Sequence, residues 1–145
     1  MKGKKTMKPE IKIGKLAILT RCRVETIRFY EKEGMLPPPP RSTGNYRMYD
    51  ATHIERLHFI RHCRSLDMTL EEIRQLLLIR DTPQGDCTEV STFLAEHLGR
   101  IDIRIAELGQ LRSQISSLSQ RCSGALTADQ CGILQGLSTQ EPASE

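Results

Sequence analysis

Apolar residues recur at helical spacing along most of this 145-residue chain. Two short runs lie near the N-terminus, on either side of an interruption at residues 20–23: Ile13, Leu16 and Ala17, then Val24, Ile27, Phe29 and Tyr30. This pattern predicts two short helices joined by a tight turn, as in a helix-turn-helix. Gly34 and the following MLPPPP end the second helix, because glycine suits the position after a helix and proline cannot continue one.

Between residues 41 and 50 the pattern changes to alternation. The segment reads RSTGNYRMYD, with Gly44–Asn45 followed by Tyr46 and Met48 alternating with Arg47 and Tyr49. A Gly–Asn pair between two short alternating segments is typical of a tight hairpin turn. The segment therefore predicts a small β-hairpin, or wing.

Start signals predict two further helices. Asp50 is a suitable N-cap for a helix whose apolar residues share one face: Ile54, Leu57, Ile60 and Leu66. Thr69 and Glu72 have the spacing of a capping box at the start of TLEEIRQLLLIRD. The segment DTPQGD then forms a turn.

The longest helical pattern runs from about Thr88 to Arg121 and contains no proline. Its apolar positions step by four and three, with one extra three-residue step near Gly109: Leu94, Leu98, Ile101, Ile105, Leu108, Leu111, Ile115, Leu118 and Cys122. This is the a/d seam of a coiled coil. Nothing after the seam is large enough to cover it, so we expect it to pair with a second copy of the chain. The alternative is that it folds back on its own N-terminal half.

Charge is divided unevenly along the chain. Residues 1–64 contain 15 Lys and Arg against 6 Asp and Glu, a net +9, whereas residues 65–145 contain 6 against 12, a net −6. A compact region this basic suits a partner with a phosphate backbone, although a solvated basic surface would have the same composition. We find no run of about 18 apolar residues and no apolar segment after the basic start, so we expect no membrane partner and a cytoplasmic location.

Five cysteines are expected to stay reduced in that compartment. Cys22 and Cys63 fit ordinary buried or half-buried positions. Cys87 and Cys122 flank a helix about 50 Å long, so they cannot meet within one chain. In an antiparallel pair of helices, Cys87 of one copy would lie beside Cys122 of the other, and the following loop could bring Cys131 to the same place.

Three thiolates without a nearby histidine favour a soft or borderline heavy cation over Mg²⁺, Ca²⁺ or Mn²⁺. His97 lies too far along the helix to join them. A structural zinc site would more usually have four ligands. A three-thiolate site suits Pb(II) or Hg(II), and Cd(II) could add a water or an oxygen ligand. We therefore predict a metal site made of Cys87, Cys122 and Cys131 from two subunits.

Two blocks of the sequence resemble the MerR family of bacterial transcription regulators: RCRVETIRFYEKEGMLPPPPRSTGNYRMYD and HIERLHFIRHCRSLDMTLEEIRQLL. The resemblance extends from about Ile11 to Leu137. The segments DCTEV and RCSGALTADQCGILQGLS resemble its lead- and cadmium-responsive branch. The implied architecture is mainly α, with a winged helix-turn-helix DNA-binding domain over 11–81 and a long antiparallel coiled-coil dimerisation helix over 82–121. A flexible basic tail over 1–10 precedes them, and a short C-terminal metal-binding loop and tail over 122–145 follow.

The resemblance implies a homodimer on promoter DNA that works with RNA polymerase. Metal binding would distort the operator and activate a heavy-metal resistance promoter, with Pb(II) or Cd(II) as the inducer and no organic cofactor. Eight residues match the family's DNA-binding positions: Glu25 and Thr26 as base readers, Arg28 and Tyr30 toward the major groove and flanking phosphates, and Arg41, Tyr46, Arg47 and Arg64 on the backbone. Packing of the two tyrosines, and plain surface charge for the arginines, are the alternatives.

Other readings remain at this point. A regulator of the same family could respond mainly to Cd(II), Zn(II) or Hg(II). A redox sensor could use a disulfide between Cys122 and Cys131, although Cys87 would then have no role. A drug-binding regulator would need a larger C-terminal ligand domain. A thiol enzyme is disfavoured because no suitable His, Asp or Glu partner is recognisable, so we expect no enzymatic activity.

Overall fold

A computed structural model describes residues 10–122, 124 and 127–139 of the chain. The helices in this part are α1 (Ile13–Thr20), α2 (Val24–Lys32), α3 (Ala51–Ser65), α4 (Leu70–Arg80), α5 (Cys87–Ser119) and α6 (Gly132–Thr139), with a 3₁₀ turn at Ala128–Gln130. Residues up to Val90 and residues from Ser91 onward form two compact units, so the boundary falls in the first turn of α5. The predicted mainly α fold is confirmed.

The hydrophobic core of the first unit combines one face of each of its helices with residues from the connecting segments. Its buried apolar residues are Leu16, Ile27, Tyr30, Met35, Leu36, Tyr49, Leu57, Ile60, Cys63, Met68, Ile73, Leu76 and Leu77. Helix α1 packs on both α2 and α3, and α3 packs on α4. Removing these side chains from water supplies the main driving force for folding the unit. The first two helices and their turn form the predicted helix-turn-helix.

Local signals set the ends of the helices as the sequence predicts. Gly34 follows α2 with φ +75°, a left-handed conformation that costs glycine little. The Asp50 carboxylate accepts hydrogen bonds from the backbone N–H groups of Thr52 and His53 at the start of α3. The Glu72 backbone N–H donates to Thr69 Oγ1 at 3.2 Å, and the Glu72 carboxylate accepts from the Thr69 N–H at 2.9 Å, completing the capping box of α4.

One apolar position on α3 differs from the prediction. Leu66 is 49% exposed, whereas Cys63 and His53 are buried. The reason is that α3 ends at Ser65, so Leu66 is the C-cap and no longer follows the helical face. Cys63, three residues after Ile60, continues that face instead.

The wing is smaller than a regular hairpin. A single antiparallel bridge joins Arg41 and Arg47, and the Asn45 N–H donates to the Ser42 carbonyl at 2.9 Å across the turn. A second bridge joins Ile11 and Tyr49 through two backbone hydrogen bonds of 2.8 Å. The chain entering α1 is therefore tied to the base of the wing.

The second unit contains most of α5, followed by α6. Apolar seam residues of α5 are exposed in the single chain, including Leu98 (60%), Ile105 (61%) and Ile115 (66%). Helix α6 occupies part of the segment predicted as loop and tail, so the loop after Cys122 is shorter than expected. None of the described helices combines the length and apolar character needed to cross a membrane.

Candidate functional site

A basic cleft lies in the first unit between α2, the wing and the entry to α1. Its volume is about 790 Å³. The residues that line it are Lys12, Ile13, Arg28, Glu31, Lys32, Pro38, Arg41, Asn45, Tyr46 and Arg47. Five of these side chains are cationic and one is a carboxylate, so the cleft attracts polyanions. We call these lining residues the basic cleft.

Glu31 connects the two sides of the basic cleft. One of its carboxylate oxygens accepts a hydrogen bond from Arg47 Nη1 at 3.2 Å, and the other accepts from the Tyr49 hydroxyl. Tyr49 is fully buried, and this burial together with the Glu31 carboxylate raises its pKa to about 12. The network holds α2 and the wing in one arrangement, because Glu31 belongs to the helix and both partners belong to the wing segment.

The wing tip is stabilised by two further contacts. Lys12 Nζ lies 4.2 Å from the centre of the Tyr46 ring, a cation–π distance. Arg41 Nη1 donates to the Asn45 side-chain oxygen at 3.2 Å. Both cations are exposed, so their remaining donors are available to phosphate oxygens.

Four of the eight residues predicted to bind DNA line the basic cleft: Arg28, Arg41, Tyr46 and Arg47. Glu25 and Thr26 lie in the first turn of α2, where Glu25 is exposed and Thr26 is half-buried. A contact between these two residues and base edges remains a prediction.

Arg64 and Tyr30 lie outside the lining of the basic cleft. Arg64 is exposed on α3, and its Nη1 donates to the Met68 carbonyl at 2.8 Å. Tyr30 is only 8% exposed and belongs to the core, so packing dominates its environment. Burial, followed by the nearby Cys22, raises the pKa of the Tyr30 hydroxyl, while Arg64 lowers it.

Sequence reasoning missed four polar residues of the basic cleft: Lys12, Glu31, Lys32 and Asn45. Lys32 could have been found, because it lies one helical turn after Arg28 on the same face of α2. Lys12 could not, because its position depends on the bridge between Ile11 and Tyr49, which links distant parts of the sequence.

The three cysteines predicted to bind metal lie at the ends of helices. Cys87 is the first residue of α5 and is exposed. Its turn is stabilised by Asp86, whose carboxylate accepts hydrogen bonds from the Thr88 backbone N–H at 2.9 Å and hydroxyl at 2.8 Å. These bonds hold the pKa of Asp86 below its ordinary value. Cys122 is exposed shortly after the end of α5, and half-buried Cys131 directly precedes α6.

Close packing in the second unit brings the neighbours of Cys122 and Cys131 together. A Cβ on Gly132 would lie 2.5 Å from the Arg121 carbonyl oxygen and 3.2 Å from the Arg121 Cβ. Arg121 directly precedes Cys122, and Gly132 directly follows Cys131. Across the described ranges, no group of three or more His, Cys, Asp and Glu side chains is arranged to hold a metal ion within the single chain.

Comparisons with known proteins identify the family of the chain. The family model for MerR HTH family regulatory proteins matches residues 11–78, and the model for MerR, DNA binding, matches residues 54–118. The HTH-type transcriptional regulator ZntR homolog of Haemophilus influenzae is 41% identical over 111 residues, which cover 77% of this chain and 82% of that protein. The mercuric resistance operon regulatory protein of Bacillus cereus is 33% identical over 128 residues, which cover 88% and 97%.

One solved structure is similar to this chain over most of its length. It is the crystal structure of the transcription regulator PbrR691 from Ralstonia metallidurans CH34 in complex with lead(II). The two chains are 46% identical with a TM-score of 0.79, and the match covers 88% of this chain and 98% of the other. The helix-turn-helix, the wing and the long helix are thus shared with regulators over most of the sequence, and the chain belongs to the MerR family of helix-turn-helix regulatory proteins.

Proposed function

We propose that this chain is a heavy-metal-responsive transcription regulator of bacteria. It binds promoter DNA as a homodimer, and each dimer carries two sites made of Cys87 from one subunit and Cys122 and Cys131 from the other. Pb(II) or Cd(II) is the inducer, and the metal-loaded dimer distorts its operator so that RNA polymerase can start transcription. The observation that carries the proposal is the close contact of Arg121 with Gly132, the residues next to Cys122 and Cys131, beyond one end of α5, while Cys87 starts the other end.

The basic cleft supports DNA binding. Two of its cationic side chains, Arg28 and Lys32, belong to α2, as expected for a helix that enters a major groove while neighbouring residues contact phosphates. The Glu31 network fixes the wing relative to that helix. Because the wing is already fixed, less conformational entropy is lost when DNA binds.

The apolar seam of α5 supports the homodimer. Leu98, Ile105 and Ile115 each expose more than half of their side chain in the single chain. A contiguous apolar stripe of this kind marks a protein interface. An antiparallel arrangement of two α5 helices would bury both stripes and would bring opposite ends of the helices together.

The donor set supports a soft heavy cation. Cys87 and Cys122 are exposed and Cys131 is half-buried, so none of the three residues is shut away from solvent in the single chain. Sulfur ligands select soft metals, whereas Mg²⁺ and Ca²⁺ require oxygen ligands. The similarity to a regulator crystallised with lead(II) favours Pb(II) within that class.

Metal binding can be coupled to DNA shape through the orientation of the subunits. A cation held by thiolates of both subunits favours one relative orientation of their DNA-binding units. Bending and untwisting DNA costs a few kcal/mol. A metal-dependent preference of that size is ordinary for an allosteric protein and is sufficient to change the promoter.

The test is a competitive titration of the reduced dimer with Pb(II), Cd(II), Zn(II) and Hg(II), followed by sulfur-to-metal charge-transfer absorption. We expect one ion per three-thiolate site, and we expect Cys87→Ser, Cys122→Ser and Cys131→Ser each to abolish tight binding. Cys22→Ser is the matched control and should bind as the unaltered chain does.

Two outcomes would contradict the proposal. Full Pb(II) affinity in the Cys87→Ser dimer would make the site local to one chain. A response of promoter transcription to oxidant, with no response to any of the four metals, would identify a redox sensor instead.

A further inference from the structure

The backbone just after α5 lies directly against the start of α6, because Gly132 has no side chain. An added Cβ on Gly132 would press on the backbone carbonyl oxygen and carbonyl carbon of Arg121, the latter at 3.3 Å. Arg121 lies two residues after the end of α5, and its backbone N–H donates to the Leu118 carbonyl at 3.0 Å, so its backbone cannot move aside without disturbing that hydrogen bond. A side chain at position 132 would therefore push the start of α6 away from α5.

A second glycine one turn later makes a different contact. Gly136 is buried, and an added Cβ there would meet the Arg121 guanidinium and would lie 3.0 Å from Leu118 Cδ2. Both obstacles are the far ends of flexible side chains. Both glycines allow α6 to pack closely on the residues at the end of α5 and just after it. A side chain added at Gly132 would meet backbone, whereas one added at Gly136 would meet side chains that can rotate.

We propose that Gly132 is a positioning residue of the metal site, which holds Cys131 next to Cys122 before any metal binds. The inference rests on the proposed function, because it assigns these two thiols to one site. Its physical basis is that Arg121 and Gly132 are the sequence neighbours of Cys122 and Cys131. The contact between Arg121 and Gly132 fixes the two residues that flank Cys122 and Cys131, so the two thiols have a high effective concentration relative to each other.

The first experiment measures this effective concentration without metal. A Cys87→Ser chain is equilibrated with reduced and oxidised glutathione, and formation of the Cys122–Cys131 disulfide converts one oxidised glutathione into two reduced molecules. The equilibrium constant gives the effective concentration of the two thiols. Arg121 is the last Lys or Arg of the chain, so one tryptic peptide contains both cysteines and loses two hydrogen atoms when they are joined.

Three single variants and two double variants give a graded expectation. Gly132→Ala should lower the effective concentration at least tenfold. Gly99→Ala is the matched control, because a Cβ on Gly99 meets nothing within 4 Å, and it should have no effect. Gly136→Ala should cause a smaller loss that Arg121→Ala reverses, since the guanidinium is the principal obstacle there. Arg121→Ala should not reverse the effect of Gly132→Ala, where the obstacle is backbone.

The second experiment titrates the dimer that keeps all its cysteines with Pb(II). Gly132→Ala should raise the apparent Kd at least tenfold while the affinity of the metal-free dimer for operator DNA stays unchanged, which separates a positioning role from general unfolding. Equal effective concentrations in Gly132→Ala and Gly99→Ala chains would overturn the inference. If the unaltered chain bound no soft metal but the glutathione result held, the proposed function would fail, whereas the placement of Cys131 next to Cys122 by Gly132 would stand.

Discussion

At the scale of single residues, Glu31 is the link between α2 and the wing. It accepts hydrogen bonds from Arg47 and from the buried Tyr49 hydroxyl. The carboxylate thus orients an arginine that lines the basic cleft although it carries the wrong charge to contact phosphate itself. The presence of an acidic residue in the basic cleft is explained by the two side chains that it holds in place.

Removal of the Tyr49 hydroxyl tests this link. Tyr49→Phe should lower the free energy of unfolding by about 1.5–3 kcal/mol, the usual range for a hydrogen bond to a charged group. Urea unfolding at neutral pH measures the loss. Tyr46→Phe is the control, because Tyr46 is 57% exposed, and it should leave stability nearly unchanged.

The same hydroxyl predicts a dependence on alkaline pH. The pKa of Tyr49 is raised from 10.0 to about 12 in the folded protein. The folded state therefore holds this proton more tightly than the unfolded chain does, and the stabilisation is fully present below pH 10 and disappears as the pH rises through about 12. Unfolding at increasing alkaline pH should show this loss in the unaltered chain and not in Tyr49→Phe, and identical pH profiles would contradict the assignment.

Arg41 provides a test of phosphate binding. It is exposed in the basic cleft and bonded only to the neutral Asn45 side chain among the contacts described above. Arg41→Ala should weaken binding to all DNA sequences alike and reduce the slope of log K against log salt concentration by about 0.9, the value for one phosphate. Arg104→Ala on α5 is the control, and an equal change in slope there would contradict a specific role for the wing.

The resemblance to the MerR family selects four residues that share one surface, and their contact with DNA stays a prediction. Arg28, Arg41, Tyr46 and Arg47 were selected from the sequence and line one cleft. The burial of Tyr30 was not predicted in preference to DNA contact, because a tyrosine on an amphipathic helix suits either role and only the packed core distinguishes them.

At the scale of elements, features that depend on nearby residues could be predicted, and features that depend on tertiary contacts could not. Helix starts at Asp50 and Thr69 depend on side chains within three residues of the cap, so the sequence contains the whole signal. Helix α6 was not predicted, since Gly132 and Gly136 weaken helix propensity. Their packing on Arg121 and Leu118 is a tertiary contact that no local pattern contains.

The seam of α5 can be tested with two isoleucines of almost equal exposure. Ile105 lies on the seam and is 61% exposed, and Ile103 lies off the seam and is 62% exposed. Ile105→Glu should dissociate the dimer because it would bury a charge in the coiled-coil interface. Ile103→Glu should leave the dimer intact. Sedimentation velocity distinguishes them, and equal behaviour of the two variants would place the interface elsewhere.

At the scale of the whole molecule, the proposed metal site requires thiols from two chains. Cys87 starts α5, and Cys122 follows its end after a helix about 50 Å long. A three-thiolate site is then possible only if two chains pair with their α5 helices antiparallel. Metal binding would then depend on the arrangement of the two subunits. A small cation could in this way influence DNA that is bound by the first unit of each chain.

The most direct test is metal binding by a mixed dimer. One subunit carries Cys87→Ser, and the other carries both Cys122→Ser and Cys131→Ser, with different affinity tags used to purify the heterodimer. Each subunit alone lacks part of the ligand set, but Cys87 of the second can join Cys122 and Cys131 of the first. We predict one Pb(II) per mixed dimer, with the affinity and charge-transfer absorption of the unaltered protein, and none in either mutant homodimer. A mixed dimer without tight Pb(II) binding would contradict the shared site.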